Sequence, residues 1–180
     1  YKDLVKQEPL ITNDIKRIIG ESDGHLEGLE FRLKSKESLF RKIEKDYIDS
    51  DGELSRIEIF KKMNDIIRYT TILDFDSFTE DYNRIKDLIL KENYNIIKIG
   101  NTWKDGNVYK GINTVIEKNN VKIEMQYHTK ESFKLKNGIL HKLYEEYRDI
   151  NTSGKRKKEL QQQMKKLSLD IRNPKGVDKI

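Results

Sequence analysis

The alternation of apolar and polar positions divides the chain into helices and strands that follow one another. Leu4, Ile11, Ile15, Ile18 and Ile19 form one helical stripe over Asp3–Ile19, which Pro9 is expected to break or restart. Gly20–Gly28, rich in Gly, Ser and Asp and containing His25, reads as a loop. In GLEFRLKS, residues 28–35, Leu29, Phe31 and Leu33 point one way and Glu30, Arg32 and Lys34 the other, which predicts a strand. Ser35 is placed to cap a helix carrying Leu39, Ile43 and Tyr47, Asp49–Gly52 is a turn, and Glu53–Met63 is a second helix with Leu54, Ile57 and Phe60.

The β-branched run Ile66–Leu73 predicts a strand, followed by an amphipathic helix over Asp76–Lys91 with Phe78, Tyr82, Ile85 and Ile89 inward, and a strand over Tyr94–Trp103. Lys104–Asn107 is a turn by composition, and Gly111–Glu117 and Val121–Thr129 flank Asn119-Asn120 as a hairpin. Lys130–Tyr147 reads as helix despite Gly138, and Leu160, Met164, Leu167 and Ile171 mark a last helix that Pro174 stops. Alternating strands and helices predict an α+β fold, a mixed β-sheet flanked by helices. With no internal repeat and no second core, the expectation is a single domain over residues 1–180.

Composition narrows this little. The formal net charge of +5, with both signs interspersed, suits a phosphorylated substrate or a polynucleotide. The absence of Cys removes disulfides and thiolate metal sites, and the three His stand far apart. No apolar run approaches the roughly 20 residues of a spanning helix, and the N-terminus lacks a signal-peptide pattern, so no membrane role is expected. The chain starts at Tyr1 rather than Met, as a segment cut from a longer protein would, or an expressed fragment.

Two stretches carry candidate chemistry. The predicted strand Val121–Thr129 places Glu124, Gln126 and His128 on one face and Ile123, Met125 and Tyr127 on the other, so the polar row is either a solvated face or a site. Around the junction before the Ser35-capped helix, Arg32, Lys34, Lys36, Arg41 and Lys42 accumulate, either as a solvated basic face or as a polyphosphate cradle formed with the first N–H groups of the helix. Asp65 and Arg68 stand at the entrance of the Ile66–Leu73 strand.

These three segments, Arg32 to Lys42, then Asp65 to Arg68, then Glu124 to Thr129, resemble in order and spacing the synthetase domain of the RelA/SpoT family, over roughly residues 28–148 with helical additions at both ends. The resemblance implies a nucleotidyltransferase-like fold and a Mg²⁺-dependent pyrophosphokinase that transfers the β,γ-pyrophosphate of ATP to a ribose 3′-hydroxyl. It implies that Arg32 and Arg68 hold the adenine, that Lys34, Lys36, Ser38, Arg41 and Lys42 bind the triphosphate, and that Asp65 and Glu124 share the metal, with Glu124 taking the proton of the attacking hydroxyl. Tyr109 corresponds to the tyrosine that stacks on the acceptor base, and the resemblance implies that Lys110, Asn113, Gln126 and His128 bind the acceptor with it. Val108, Gly111 and Asn113 stand where the family pattern has Gly, Ser and His, and His128 where E-x-Q-x-R-T has Arg.

GLEFRLKSKESL, QYHTKESFKLK and HKLYEEYR further resemble the divergent branch at the ends of phage head proteins and polymorphic toxins. That branch implies action in the cytoplasm of a target cell, delivery within a larger protein, and an immunity partner. The implied acceptors are GDP or GTP, or ADP or ATP. Two alternatives are transfer to the 3′ end of tRNA and an inactive phage-head or binding module with the same fold.

Overall fold

The computed structural model describes residues 1–104 and 107–180. The turn expected over Lys104–Asn107 includes two positions outside the described residues. Helix α1 spans Lys2–Gly20, β1 His25–Glu27, α2 Lys36–Asp49, α3 Arg56–Lys62, β2 Ile67–Leu73 and α4 Phe78–Lys91. There follow β3 Asn95–Asn101, β4 Ile112–Lys118, β5 Val121–Thr129, α5 Lys130–Leu135, α6 His141–Arg148 and α7 Gly154–Leu169.

The strands form one five-stranded mixed sheet in the order β1-β2-β5-β4-β3, with β2 and β5 parallel and every other pair antiparallel. The α+β architecture is therefore as expected. The β4–β5 hairpin turns on Asn119 and Asn120, both at positive φ (52° and 61°), the left-handed conformation that asparagine tolerates and that matches strand twist. Period-two alternation sends Ile67, Tyr69, Ile123, Met125 and Tyr127 to one face, where Ile15, Ile18 and Ile19 of α1 and Phe78, Tyr82, Ile85 and Ile89 of α4 close the core. A smaller cluster, Leu39, Ile43, Ile59, Met63 and Ile66, fixes α2 and α3 beside the entrance of β2.

Four local expectations are corrected. Helix α1 runs unbroken through Pro9, leaving the Val5 carbonyl without its intrahelical donor on a side where Val5 and Leu10 are exposed. The strand expected over residues 28–35 is a 3₁₀ turn at Leu29–Phe31, entered through Gly28 at φ 63°, and the true strand is β1, inside the expected loop. Both stretches reach the same edge of β2: Glu27 pairs with Thr70 and Leu33 bridges to Ile67, so seven residues face four and the excess is looped out as the turn. The third helix begins only at Arg56, after a capping box between Ser55 and Glu58, and buries Ile59 while Ile57 stays exposed. The long helix expected over Lys130–Tyr147 is interrupted by a π-helical segment, Lys136–Leu140, with Gly138 at φ −91°, ψ −112°.

Candidate active site

The face of the sheet opposite the core carries Arg68 and Thr70 from β2 and Glu124, Gln126 and His128 from β5. The parallel register sets Arg68 beside Glu124 and Thr70 beside Gln126. Over this face open two adjoining clefts. One, of about 560 Å³, is lined by Lys42, Asp46, Met63, Asp65 and Glu124; the other, of about 320 Å³, by Phe31, Lys34, Ser38, Asp65 and Arg68 among others. Asp65 borders both, so two acids distant in sequence meet in one depression.

Each carboxylate has a distinct environment. Asp65 receives the Lys34 ammonium at 3.1 Å and the Lys42 ammonium at 3.0 Å. Burial works to raise its carboxyl, and these two cations overcome it, leaving the group below the usual carboxylate range. Glu124 behaves oppositely: burial raises its carboxyl and the Asp65 charge raises it further, against Arg68, Lys136 and the Gln126 amide.

Gln126 is oriented completely. Its Nε2 donates to Glu124 at 3.2 Å, and its Oε1 accepts from Lys136 at 2.7 Å and from the Thr70 hydroxyl at 3.4 Å. Lys136 is the site residue that sequence reasoning missed. Burial, with Arg68 adding to it, brings its ammonium down to about 8. It arrives through the π-helical segment, where neither helical nor strand periodicity assigns a direction, so no signal in the sequence marks it.

On the far side of Gln126, Tyr109 stands edge-on to the His128 ring with centroids 5.1 Å apart, half-buried. Its hydroxyl lies 2.7 Å from Asn113 Oδ1 and 2.9 Å from His128 Nε2. The His128 Nδ1 lies 3.0 Å from the Lys110 carbonyl, an acceptor only, so Nδ1 carries the proton and Nε2 is an acceptor, which competes with Asn113 Oδ1 for the single Tyr109 hydroxyl proton. Burial takes the imidazole down to about 3, so it is neutral. His128 has no exposed surface and Lys110 is 6 % exposed with its ammonium on the Lys104 carbonyl at 2.9 Å; both are corrected from acceptor contacts to supports of Tyr109.

Arg32 is the third correction. Its Nε donates to Glu8 Oε1 at 2.5 Å, its Nη2 to Glu8 Oε2 at 3.2 Å and its Nη1 to the Leu29 carbonyl at 2.8 Å. Glu8 also accepts from the Thr12 hydroxyl, which bonds Tyr69, a core-side residue. The guanidinium is thus turned toward α1, away from Arg68. Ser38 lines the smaller cleft, while Lys36 and Arg41 are exposed on the first turns of α2, Arg41 donating to Ser38 at 3.2 Å.

Among the described residues no group of three or more acids or histidines could cage a metal ion. Two carboxylates on one cleft fit an ion that takes its remaining ligands from phosphate oxygens and water, as Mg²⁺ does. Among the described residues no helix is long and apolar enough to cross a membrane.

No protein-family model and no curated protein matches the chain in sequence. Solved structures do match it. The small alarmone synthetase 2 from Bacillus subtilis aligns with a TM-score of 0.60 at 21 % identity, over 92 % of this chain and 88 % of that one. The small alarmone synthetase 1 from Bacillus subtilis bound to its product pppGpp aligns at 0.57 and 16 %, over 94 % and 88 %. A GTP pyrophosphokinase family protein from Streptococcus pneumoniae aligns at 0.52 and 16 %, over 92 % and 82 %. The chain has the α+β fold of these alarmone synthetases, the fold that its motifs' resemblance to the RelA/SpoT synthetase domain implies.

Proposed function

We propose that the protein is a pyrophosphokinase that moves the β,γ-pyrophosphate of ATP onto the 3′-hydroxyl of an acceptor nucleotide. The observation that carries this reading is the meeting of Asp65 and Glu124 on one cleft that also holds Lys42, with Lys34 and Arg68 continuing from Asp65 into the next. Such transfer needs charge neutralisation and in-line placement more than a covalent nucleophile. Lys34 and Lys42 bind the triphosphate, leaving Asp65 as it arrives. Glu124, whose carboxyl burial raises above the usual carboxylate range, accepts the proton of the 3′-hydroxyl while the oxygen of that hydroxyl bonds the β-phosphorus and the α,β-bridging bond breaks, releasing AMP. Asp65 and Glu124 would hold a Mg²⁺ ion, which when bound screens the phosphate charge. Tyr109, braced by Asn113 and His128, offers its ring to the acceptor base.

A second acceptor, the 3′ end of tRNA, is favoured by α7. Its Lys155, Lys158, Lys165 and Lys166 are exposed, and its Ser168 hydroxyl bonds the Val108 carbonyl beside Tyr109 at 2.5 Å, so a basic helix ends at the acceptor side. The likeness of three segments to toxin and phage-head relatives supports a role as an effector domain with an immunity partner. The test is incubation with γ-labelled ATP, Mg²⁺ and, separately, GDP, GTP, ADP, ATP or tRNA, following AMP and label. Label appears on at least one acceptor. AMP release with none of them would leave an inactive module, and a steep fall of activity with salt would select tRNA over a mononucleotide.

A further inference from the structure

The connection from β3 to β4, which carries Tyr109, is tied to itself at its root. The Thr102 N–H and hydroxyl both donate to the Gly111 carbonyl, at 3.0 and 2.8 Å, and the Lys110 ammonium donates to the Lys104 carbonyl at 2.9 Å. Two further ties join it to the segment after residue 148, which the family resemblance does not cover. At the entrance, the Asn101 amide nitrogen donates to the Val177 carbonyl at 2.6 Å and to the Ile180 carbonyl at 3.3 Å, while its oxygen accepts the Trp103 N–H at 3.0 Å. Near the exit, the Ser168 hydroxyl of α7 meets the Val108 carbonyl at 2.5 Å. Ser168 is 2 % exposed and continues the inward stripe of Leu160 and Met164, a place where helical amphipathicity calls for an apolar side chain. A buried hydroxyl there needs a partner. Its other contact, the Met164 carbonyl at 3.0 Å, lies inside α7, where helical N–H groups serve the carbonyls. The Val108 carbonyl receives no backbone N–H among the described residues, so it is the group that depends on Ser168.

We infer that Ser168 is a positioning residue for Tyr109, through which α7 sets how the acceptor is held. This deepens the acceptor reading made above and rests on it. The Tyr109 ring is held at its tip, where the hydroxyl meets Asn113 and His128. A ring held only there still tilts with its backbone, and the bond from Ser168 to the preceding carbonyl fixes that other end. Stacking depends on the tilt of the ring face, so a shift at Val108 reaches the acceptor base through the tyrosine. The bond goes to a backbone oxygen, so it does not depend on the side chain at 108, where this chain has Val and the family pattern Gly. Ser168 lines neither of the two clefts around Asp65, so the donor side does not feel it. Ile171 and Val177, both in the main core, keep the segment after α7 in place against Asn101.

The experiment compares the wild type with Ser168→Ala and with Ser168→Thr, which keeps a hydroxyl at the same place. Amide hydrogen exchange over residues 108–111 reads the brace with no substrate present. Exchange there rises about fivefold or more in Ser168→Ala, as loss of one hydrogen bond allows, and stays within about threefold of the wild type in Ser168→Thr. Exchange over α4 stays within about twofold in both, which shows that the fold is intact. Initial rates of AMP release then vary GDP, GTP, ADP or tRNA at saturating ATP. In Ser168→Ala the KM of the acceptor that takes label rises about fivefold, while kcat and the KM of ATP stay within about twofold, and Ser168→Thr restores the acceptor KM. Unchanged exchange over residues 108–111 in Ser168→Ala overturns the inference, as does an equal rise in KM for ATP and acceptor. The expected exchange pattern with no label on any acceptor in the wild type would uphold the brace and overturn the transfer reaction.

Discussion

Gly111 lies beneath the imidazole of His128: a Cβ there would stand 2.7 Å from Cε1 and 3.1 Å from Nδ1, with the Tyr109 ring also at 3.1 Å. The two positions where this chain has Gly and His in place of the RelA/SpoT pattern's Ser and Arg are therefore one coupled change, because the ring occupies the room a side chain at 111 would need. Gly111→Ser should destabilise the fold by about 1–3 kcal/mol, as overpacking of a buried site does. Pairing it with His128→Ala should cost less than the sum of the two single changes, a coupling that urea unfolding of the four proteins measures directly.

The same imidazole makes stability depend on pH. His128 titrates near 6.5 when unfolded and near 3 in the fold, where burial and the nearby Lys136 oppose its charge. Between those values the unfolded chain binds the extra proton, so this contribution is complete above about pH 6.5 and is lost progressively as the pH falls toward 3. Its full size is on the order of 5 kcal/mol. Urea midpoints taken from pH 8 to pH 4 should fall more steeply in the wild type than in His128→Gln, which has no proton to gain. Parallel curves would place the buried ring elsewhere.

The strand face of Glu124, Gln126 and His128 was legible from alternation, because one residue of slip would have buried the charged row in the core. Helix α4 was equally plain, its Phe78, Tyr82, Ile85 and Ile89 keeping helical spacing toward the sheet. The stretch around Phe31 was not. Leu29, Phe31 and Leu33 alternate as a strand would, but Gly28 at positive φ lets the backbone loop out, and β1 meets the edge of β2 first. Arg32 was misplaced for the same reason, since its direction depends on that turn and on Glu8, which lies 24 positions earlier. Lys136 was invisible because a π-helical segment sets its direction, and no periodic pattern describes one.

Lys136 should show a trade of stability against function. Its ammonium is held near 8 against about 10.5 in the unfolded chain, so at neutral pH its burial is a cost; the penalty is complete below pH 8 and disappears as the pH rises through 10.5. Lys136→Met should then raise stability by about 1–2 kcal/mol at pH 7, a figure reduced for its partial contact with water. The same change removes the donor that orients Gln126 and a cation that keeps Glu124 ionised, so AMP release should fall by about tenfold or more. Thermal unfolding and initial rates on one preparation test both halves together.

The two carboxylates should fail in different ways when neutralised. Glu124→Gln removes the proton acceptor at a position already set by Gln126, and AMP release should drop by more than about a hundredfold with ATP affinity little altered. Asp65→Asn also abolishes turnover, but it frees Lys34 and Lys42 from the anion that now neutralises them at 3.1 and 3.0 Å. In the presence of a chelator the triphosphate no longer competes with that carboxylate for the two ammonium groups, so Asp65→Asn should bind ATP several-fold more tightly than the wild type. With Mg²⁺ the advantage should shrink, because Asp65 would otherwise have supplied a ligand. Calorimetric titration with and without the chelator, beside initial rates of AMP release, separates the two roles, and equal loss of ATP affinity in both variants would mean that Asp65 does not stand between the lysines and the phosphates.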